Sequence, residues 1–241
     1  MANCAYLYSL THRPAAYVDR PEAITGLSEW PYDVPFVWRL LMSGDPQLCA
    51  SLISDGLENE GDGTESVKHL YAVSSAFDQG IARLERFFAI VRHGVQHPVQ
   101  GGASAAGQTP VTGLLQYLDD SLNFLHAHRH PYLLLETVEL DLMEAGTEAD
   151  LRALVEAELT RCQLAGAALD ALPDDLTEAA RQLQQAASEC LAAPLSAFYG
   201  LRLDDEHDNT RDDQTEYPLG LEWSDVLYYS LWNKAEFEAQ S

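Results

Sequence analysis

Hydrophobic side chains recur along the chain at two spacings, and the shorter spacing marks strands near the N-terminus. Residues 5–10, AYLYSL, are rich in aromatic residues, and successive side chains would point to opposite faces, with Tyr6 and Tyr8 on one face and Leu7 on the other. This pattern is typical of a β-strand. Residues 68–74, KHLYAVS, have the same character, so the two segments are predicted to pair in one small sheet. Residues 11–35 contain four prolines and no helical period, and they predict an ordered, aromatic-rich loop.

The longer spacing begins at Phe77 and predicts amphipathic helices. Apolar residues follow at steps of four and three, which place them on one face of a helix: Phe77, Ile81, Leu84, Phe88 and Val91. A second such stripe runs through residues 111–125, and the two helices are expected to pack as an antiparallel hairpin. Stripes over residues 151–169 and 176–191, each rich in alanine, predict a second hairpin.

Several shorter elements are predicted from caps and breakers. Asp33 and Pro35 are expected to begin a helix, and Asp45-Pro46 a second one through residues 48–53. Thr147, with Asp150 three positions later, predicts a helix cap. Residues 131–143 fit both a strand and a helix, with the helix favoured. A final helix is predicted from Trp223 to residue 237.

These elements predict a mostly α protein with a small N-terminal antiparallel sheet, an α+β class, with helical hairpins in the C-terminal half. Residues 1–93 form a mixed α+β part. Residues 94–110 contain glycines and prolines but no charge, which indicates a flexible linker. Residues 111–241 form a helical part, expected to pack with the first as one unit.

Charge changes the picture, because the formal net charge is −24 and lies mostly in the second half. Residues 131–241 contain 24 acidic and 6 basic residues, for a net charge of −18. Such a field repels nucleic acid and anionic membrane surfaces, and it speeds the encounter with a basic protein. Solubility alone explains the bulk charge equally well.

The densest charge lies in residues 204–216, DDEHDNTRDDQTE, here called the acidic stretch. Without an apolar residue, it is expected to be exposed, as a solvated loop or as a docking surface for a basic partner. A calcium loop of the EF-hand type is disfavoured, because His207 and Thr210 take its third and sixth positions. A looser divalent site stays open. The candidate partner-binding residues are Asp204, Asp205, Glu206, Asp208, Asp212, Asp213, Glu216 and Tyr217.

Tyr217 is one of four aromatic residues that flank the acidic stretch and could anchor a partner, with Trp223, Tyr228 and Tyr229. Ordinary core packing is the favoured interpretation of Trp223.

Other candidate chemistry is weaker. His126, His128 and His130 fan around a helix, so they predict a polar helix end rather than a metal site. A second acidic run, from Glu136 to Asp150, is interpreted as solvated helix faces.

The four cysteines are far apart and are expected to be free thiols. No catalytic, phosphate-binding or metal motif occurs, so neither an enzyme nor a cofactor is expected.

No signal peptide or membrane-length apolar run is recognised, and a cytoplasmic protein with no membrane partner is expected. The oligomeric state is left open.

The first ninety residues resemble a bacterial family to which no activity is attached. Its members open with a Tyr-Leu-Tyr-Ser strand and contain a Gly-Leu-Ser-Glu-Trp loop and a Ser-Gly-Asp-Pro turn, present here at residues 6–9, 26–30 and 43–46. In size and acidity, the whole chain is similar to immunity proteins of bacterial type VI secretion systems, in particular those cognate to restriction-endonuclease-like nuclease effectors.

That second resemblance implies an antitoxin that binds and neutralises a nuclease effector, with no enzymatic activity and no cofactor. It supplies no contact residues. The alternatives are an adaptor or chaperone that loads an effector without blocking it, and, less favoured, a metal-dependent hydrolase that uses residues 126–130.

Overall fold

The computed structural model describes residues 3–57, 68–97, 112–209 and 217–240, and it confirms an α+β fold. The predicted linker falls largely in the gap after residue 97, and residues 94–97 complete a helix and its cap. In chain order, the elements are β1 (Cys4–Leu10), β2 (Ile24–Pro31), α1 (Phe36–Met42), β3 (Gln47–Ala50), β4 (Tyr71–Ala76), α2 (Phe77–Gln96), α3 (Thr112–Ala127), β5 (Tyr132–Glu136), α4 (Val138–Glu144), α5 (Glu148–Asp170), α6 (Leu176–Ser188), a short 3-10 turn (Leu195–Phe198) and α7 (Lys234–Gln240).

The five strands form one antiparallel sheet in the order β2-β1-β5-β4-β3. The predicted strands β1 and β4 both exist, but the prediction that they pair with each other is wrong, because β5 lies between them. Leu7 of β1 faces Leu135 of β5 in the register. Val73 of β4 faces the same Leu135 from the other side.

The favoured helix over residues 131–143 is wrong for its first half, where β5 forms, and α4 occupies the second half. As a central strand, β5 is buried on both faces, so Leu133, Leu134 and Leu135 are all inaccessible to solvent. A strand buried on both faces loses the apolar–polar alternation that distinguishes it from a helix.

Two edge strands occur where the sequence predicted other structures. Residues 24–31 lie in the predicted loop but pair with β1 as β2, between Pro21 and Pro31, which bound the segment. Residues 47–50, predicted as helix, pair with β4 as β3. The neighbouring strand supplies backbone partners that the local pattern cannot reveal.

Helices cover one face of the sheet, and the predicted stripe of α2 is confirmed, since its five residues are all buried. The α2–α3 hairpin is antiparallel, as predicted. Three side-chain pairs fix its direction: Asp78–Arg129, Glu85–His126 and Arg92–Asp119.

The predicted hairpin of α5 and α6 is wrong. α5 packs on α1, and α6 packs on α2, where a Cβ placed on Gly94 would lie 3.3 Å from the Cβ of Ala180. The small side chains of α6 therefore allow it to pack closely against α2, and not against α5 as predicted.

Residues 221–233 are here called the C-terminal strap, and three of them, Leu227, Tyr229 and Leu231, pack on the other face of the sheet. The hydroxyl of Tyr8 donates to the carbonyl of Tyr229 at 2.7 Å, and Leu231 is buried beside Leu10 and Leu134. The helix predicted from residue 223 to 237 is therefore wrong for residues 223–233. Helix α7 begins only at Lys234. From residue 227 to 231, every second side chain packs on the sheet, which is a period of two rather than 3.6.

Candidate binding cleft

The principal candidate site is a cleft of about 630 Å³ formed by the start of α1, helices α4 and α5, and residues 195–201. Its lining mixes charged, aromatic and apolar side chains. A concave surface of this size with a few converging polar groups is the usual form of a binding site.

An ion-pair network forms the floor of the cleft. Arg39 donates from Nε to Oε1 of Glu158 at 2.7 Å and from Nη2 to Oε2 at 3.2 Å. Arg161, one turn along α5, donates to the same carboxylate at 2.9 Å, and Asp33 accepts from Arg39 at 3.0 Å. Burial alone would lower the pKa of Arg39, but Glu158 and Asp33 raise it. The arginine is therefore held charged in a largely buried position.

Asp141 of α4 stands at the wall of the cleft. Its Oδ2 accepts a hydrogen bond of 2.7 Å from the hydroxyl of Thr137. Burial raises the pKa of Asp141 to about 6, with further contributions from the charges of Glu158 and Glu144. Glu144, three positions later, is exposed. The two carboxylates lie on neighbouring turns of one helix.

Exposed apolar and aromatic side chains surround these charges. Tyr32 is 68% exposed, Tyr217 41%, Tyr199 38% and Leu164 44%. Tyr32 also adopts a positive φ of 65°, which is uncommon for a residue with a Cβ. Large side chains that remain exposed around a concavity mark a surface that could be buried by a partner.

Of the predicted partner-binding residues, the structure places only Tyr217 in this cleft among those it describes. Asp205 instead accepts from the backbone N–H of Leu114 at 2.8 Å, in the first turn of α3. Asp208 accepts from the N–H groups of Gly220 and Leu221 at 2.7 and 2.8 Å. Both carboxylates therefore hold the chain in place.

The expectation that the whole acidic stretch is exposed is wrong for His207, which is buried. Its ring packs edge-on against Tyr117, and its Nδ1 donates to the carbonyl of Asp204 at 3.0 Å. Asp204 also accepts from the N–H of Glu206, whose own side chain is exposed. Asp212, Asp213 and Glu216 lie outside the described residues.

The interpretation of the second acidic run as solvated helix faces is wrong for Glu136, which is completely buried. The carboxyl group accepts from the hydroxyl of Ser51 at 2.8 Å and from the N–H of Leu52 at 2.7 Å. Burial raises the pKa of Glu136 to about 7, and these two hydrogen bonds oppose the shift. Glu136 is the last residue of the central strand β5, and its side chain is shielded from solvent.

We expect Glu136→Gln to flatten the dependence of stability on pH. The folded state binds a proton at Glu136 up to about pH 7, whereas the unfolded chain releases it near pH 4.5. Wild-type stability therefore falls as pH rises through this window, by roughly 3 kcal/mol at most, and is level above it. Asp141 contributes with the same sign up to about pH 6. Urea unfolding at several values between pH 5 and 8 measures the effect.

Glu178→Gln is the matched control for this experiment. Arg181 lowers the pKa of Glu178, so that carboxylate stays ionised throughout the range measured. An unchanged slope in Glu136→Gln would show that Glu136 is not the titrating group.

The three histidines do not converge. His126 contacts Glu85, His128 bonds to the carbonyl of Phe124, and His130 contacts the hydroxyl of Thr25. Within the described ranges, no three His, Cys, Asp or Glu side chains are grouped so that they could hold a metal ion. In the same ranges, no helix combines the length and the apolar character needed to cross a membrane.

Sequence reasoning missed Arg39 and Glu158, and it placed Asp141 on a solvated helix face. A signal existed for Glu158, which lies three residues after Val155 and four before Cys162, on the buried stripe of α5. A charged residue on such a stripe predicts a buried partner. Nothing in the sequence indicates that the partner is Arg39.

Comparison with known proteins identifies a family but no individual relative. No curated protein and no solved structure matches the chain. One family model does match, that of a Domain of unknown function (DUF7822), over residues 11–186. This match includes β2 to β5, helices α1 to α5 and most of α6, together with Asp33, Arg39, Asp141 and Glu158 of the cleft. Because it covers well over half of the chain, the chain belongs to the DUF7822 family.

Proposed function

We propose that this protein is an immunity protein that binds and neutralises a nuclease effector of a type VI secretion system. The observation that carries the proposal is a cleft with exposed tyrosines and carboxylates on a chain of net charge −24. A nuclease needs a basic surface for its phosphate backbone substrate. An acidic protein can occupy that surface and compete with the nucleic acid.

The charge supports rapid and selective encounter with such a partner. Complementary fields steer association and raise its rate, most strongly at low ionic strength. They do not by themselves make a long-lived complex, because exposed charge pairs contribute little to affinity.

The tyrosines supply what a long-lived complex needs besides charge. Stable protein interfaces depend on a few large anchors that become fully buried, with Tyr, Trp and Arg most common among them. Tyr32, Tyr199 and Tyr217 are partly exposed around one concave surface, so a partner could bury all three together. Tyr217 also joins this cleft to the acidic stretch that precedes it.

Co-expression tests the proposal. The protein is produced together with the nuclease encoded by the neighbouring open reading frame, and cell survival is measured. Protection is expected, and a purified equimolar mixture should show no nuclease activity. Cell death despite soluble expression of both proteins would reject the proposal. A stable complex that retains full nuclease activity would instead establish the adaptor alternative.

We expect the triple variant Glu206→Gln/Asp212→Asn/Asp213→Asn to associate with the nuclease about three- to tenfold more slowly at low salt. Its association rate should also depend less on salt. Asp205 and Asp208 are left intact because they hold backbone groups. Stopped-flow association at several salt concentrations measures both effects.

The control variant for this comparison is Asp120→Asn/Asp174→Asn/Glu238→Gln, which removes the same charge from exposed positions elsewhere. Equal slowing in both variants would assign the effect to overall charge rather than to the acidic stretch. An unchanged rate in the first variant would show that the acidic stretch is only a solvated loop.

A further inference from the structure

The charges that line the cleft do not balance. Arg39 and Arg161 are both paired, through Glu158 and Asp33. The carboxylates of Asp141 and Glu144 remain, and no basic side chain in the described part of the chain lies within ion-pair distance of either. Among the described lining residues, acidic side chains therefore outnumber basic ones by two, and the two unpaired carboxylates both lie on α4.

We propose that the cleft receives an arginine side chain from a basic segment of the partner, with Asp141 and Glu144 as acceptors and the exposed tyrosines as walls. This inference rests on the proposed function, since the segment would belong to the effector. The inference names an arginine side chain as the group that the cleft recognises, whereas the net charge predicts only a basic partner.

Charge and shape both favour a guanidinium over an ammonium group. A guanidinium is planar, donates in pairs to carboxylates and stacks on aromatic rings, whereas an ammonium is a compact, strongly hydrated charge. The floor of the cleft already holds one guanidinium in this way, since Arg39 donates two hydrogen bonds to Glu158. The tyrosine rings offer the faces that a second guanidinium could stack on.

The same chain shows this kind of stacking elsewhere. The guanidinium carbon of Arg20 lies 4.1 Å from the ring centre of Tyr17 and 4.6 Å from that of Phe237. The cleft, at about 630 Å³, is much larger than one side chain, so a short segment around the arginine can enter with it. The exposed Leu164 provides an apolar contact for the rest of that segment.

The test uses the full chain alone, labelled with ¹⁵N, and small probes. N-acetyl-L-arginine amide is titrated while amide chemical shifts are followed, and N-acetyl-L-citrulline amide serves as the uncharged match. We expect saturable shifts confined to α4, to residues 195–201 and to the neighbourhood of Tyr217, with citrulline producing none. Equal binding of N-acetyl-L-lysine amide, or shifts spread over the acidic surface, would overturn the proposal.

Paired variants separate the cleft from the overall charge. Asp141→Asn/Glu144→Gln should weaken binding of the arginine probe about tenfold, which corresponds to about 1.4 kcal/mol. Asp174→Asn/Glu238→Gln removes the same charge from exposed positions outside the cleft and should leave binding unchanged. Equal weakening in both double variants would overturn the proposal. Because no effector is present, a negative result rejects the arginine site without deciding the co-expression experiment, and protection can fail while the probe still binds.

Discussion

Replacing Glu158 with alanine is expected to destabilise the protein by about 3–5 kcal/mol, because it leaves the charge of Arg39 buried with one partner fewer. The side chains of Glu158 and Arg39 are only 5% and 15% exposed, so water can replace little of the lost interaction. Asp33 still contacts Arg39, but it is far more exposed. Chemical denaturation of the purified variant at neutral pH measures the loss.

The double variant Glu158→Leu/Arg39→Met tests the reason for that loss. It removes both members of the pair and keeps apolar volume in their place, so it should be markedly more stable than Glu158→Ala. A double variant as unstable as the single one would mean that packing, and not the unpaired charge, causes the effect. A loss below about 1 kcal/mol in Glu158→Ala would place the pair among weak surface interactions.

Gly80→Ala is expected to cost about 3 kcal/mol or more, although alanine is the better helix former. A Cβ placed on Gly80 would lie 2.0 Å from the carbonyl oxygen of Leu41, a backbone atom that cannot rotate away. The first turn of α2 and the last turn of α1 must therefore move apart. Thermal unfolding, compared with the wild type, gives the change.

Gly146→Ala is the appropriate control, since nothing lies within 4 Å of the Cβ that it would add. Its stability should be close to that of the wild type. A Gly80→Ala protein as stable as this control would show that α1 and α2 are not locked together at this contact.

The helices could largely be predicted from the sequence, because their signal is local. The stripe that begins at Phe77 gives α2 nearly its full length, and Thr147 caps α5 as expected, accepting from the N–H of Asp150. Both depend on residues three or four positions apart. The period of 3.6 is then enough to specify the element.

The sheet and the cleft could not be predicted, because their partners are distant in sequence. β5 looks helical until β1 and β4 flank it, and the C-terminal strap looks helical until the sheet gives it a surface of period two. Glu158 lies 119 positions from Arg39. A pattern within one segment contains no information about such a pair.

The acidic stretch illustrates the same limit at the level of the candidate site. Composition alone gives Asp205, Asp208 and Glu206 the same role, yet two of them bind backbone groups and the third is exposed. The excess charge that faces the cleft comes instead from Asp141 and Glu144 on α4. Charge density in sequence is therefore a poor guide to which carboxylates are available to a partner.

The C-terminal strap has a consequence for how the protein is made. Tyr8 and Tyr229 are separated by 221 positions and meet only when the strap lies on the sheet. During translation, β1 is synthesised before the strap, so the tyrosine-rich face beneath the strap stays uncovered while the residues between them leave the ribosome. Exposed apolar sheet surface of this kind is a substrate for chaperones and a site of aggregation. Docking of Leu227, Tyr229 and Leu231 thus ends the period in which this face of the nascent sheet needs protection.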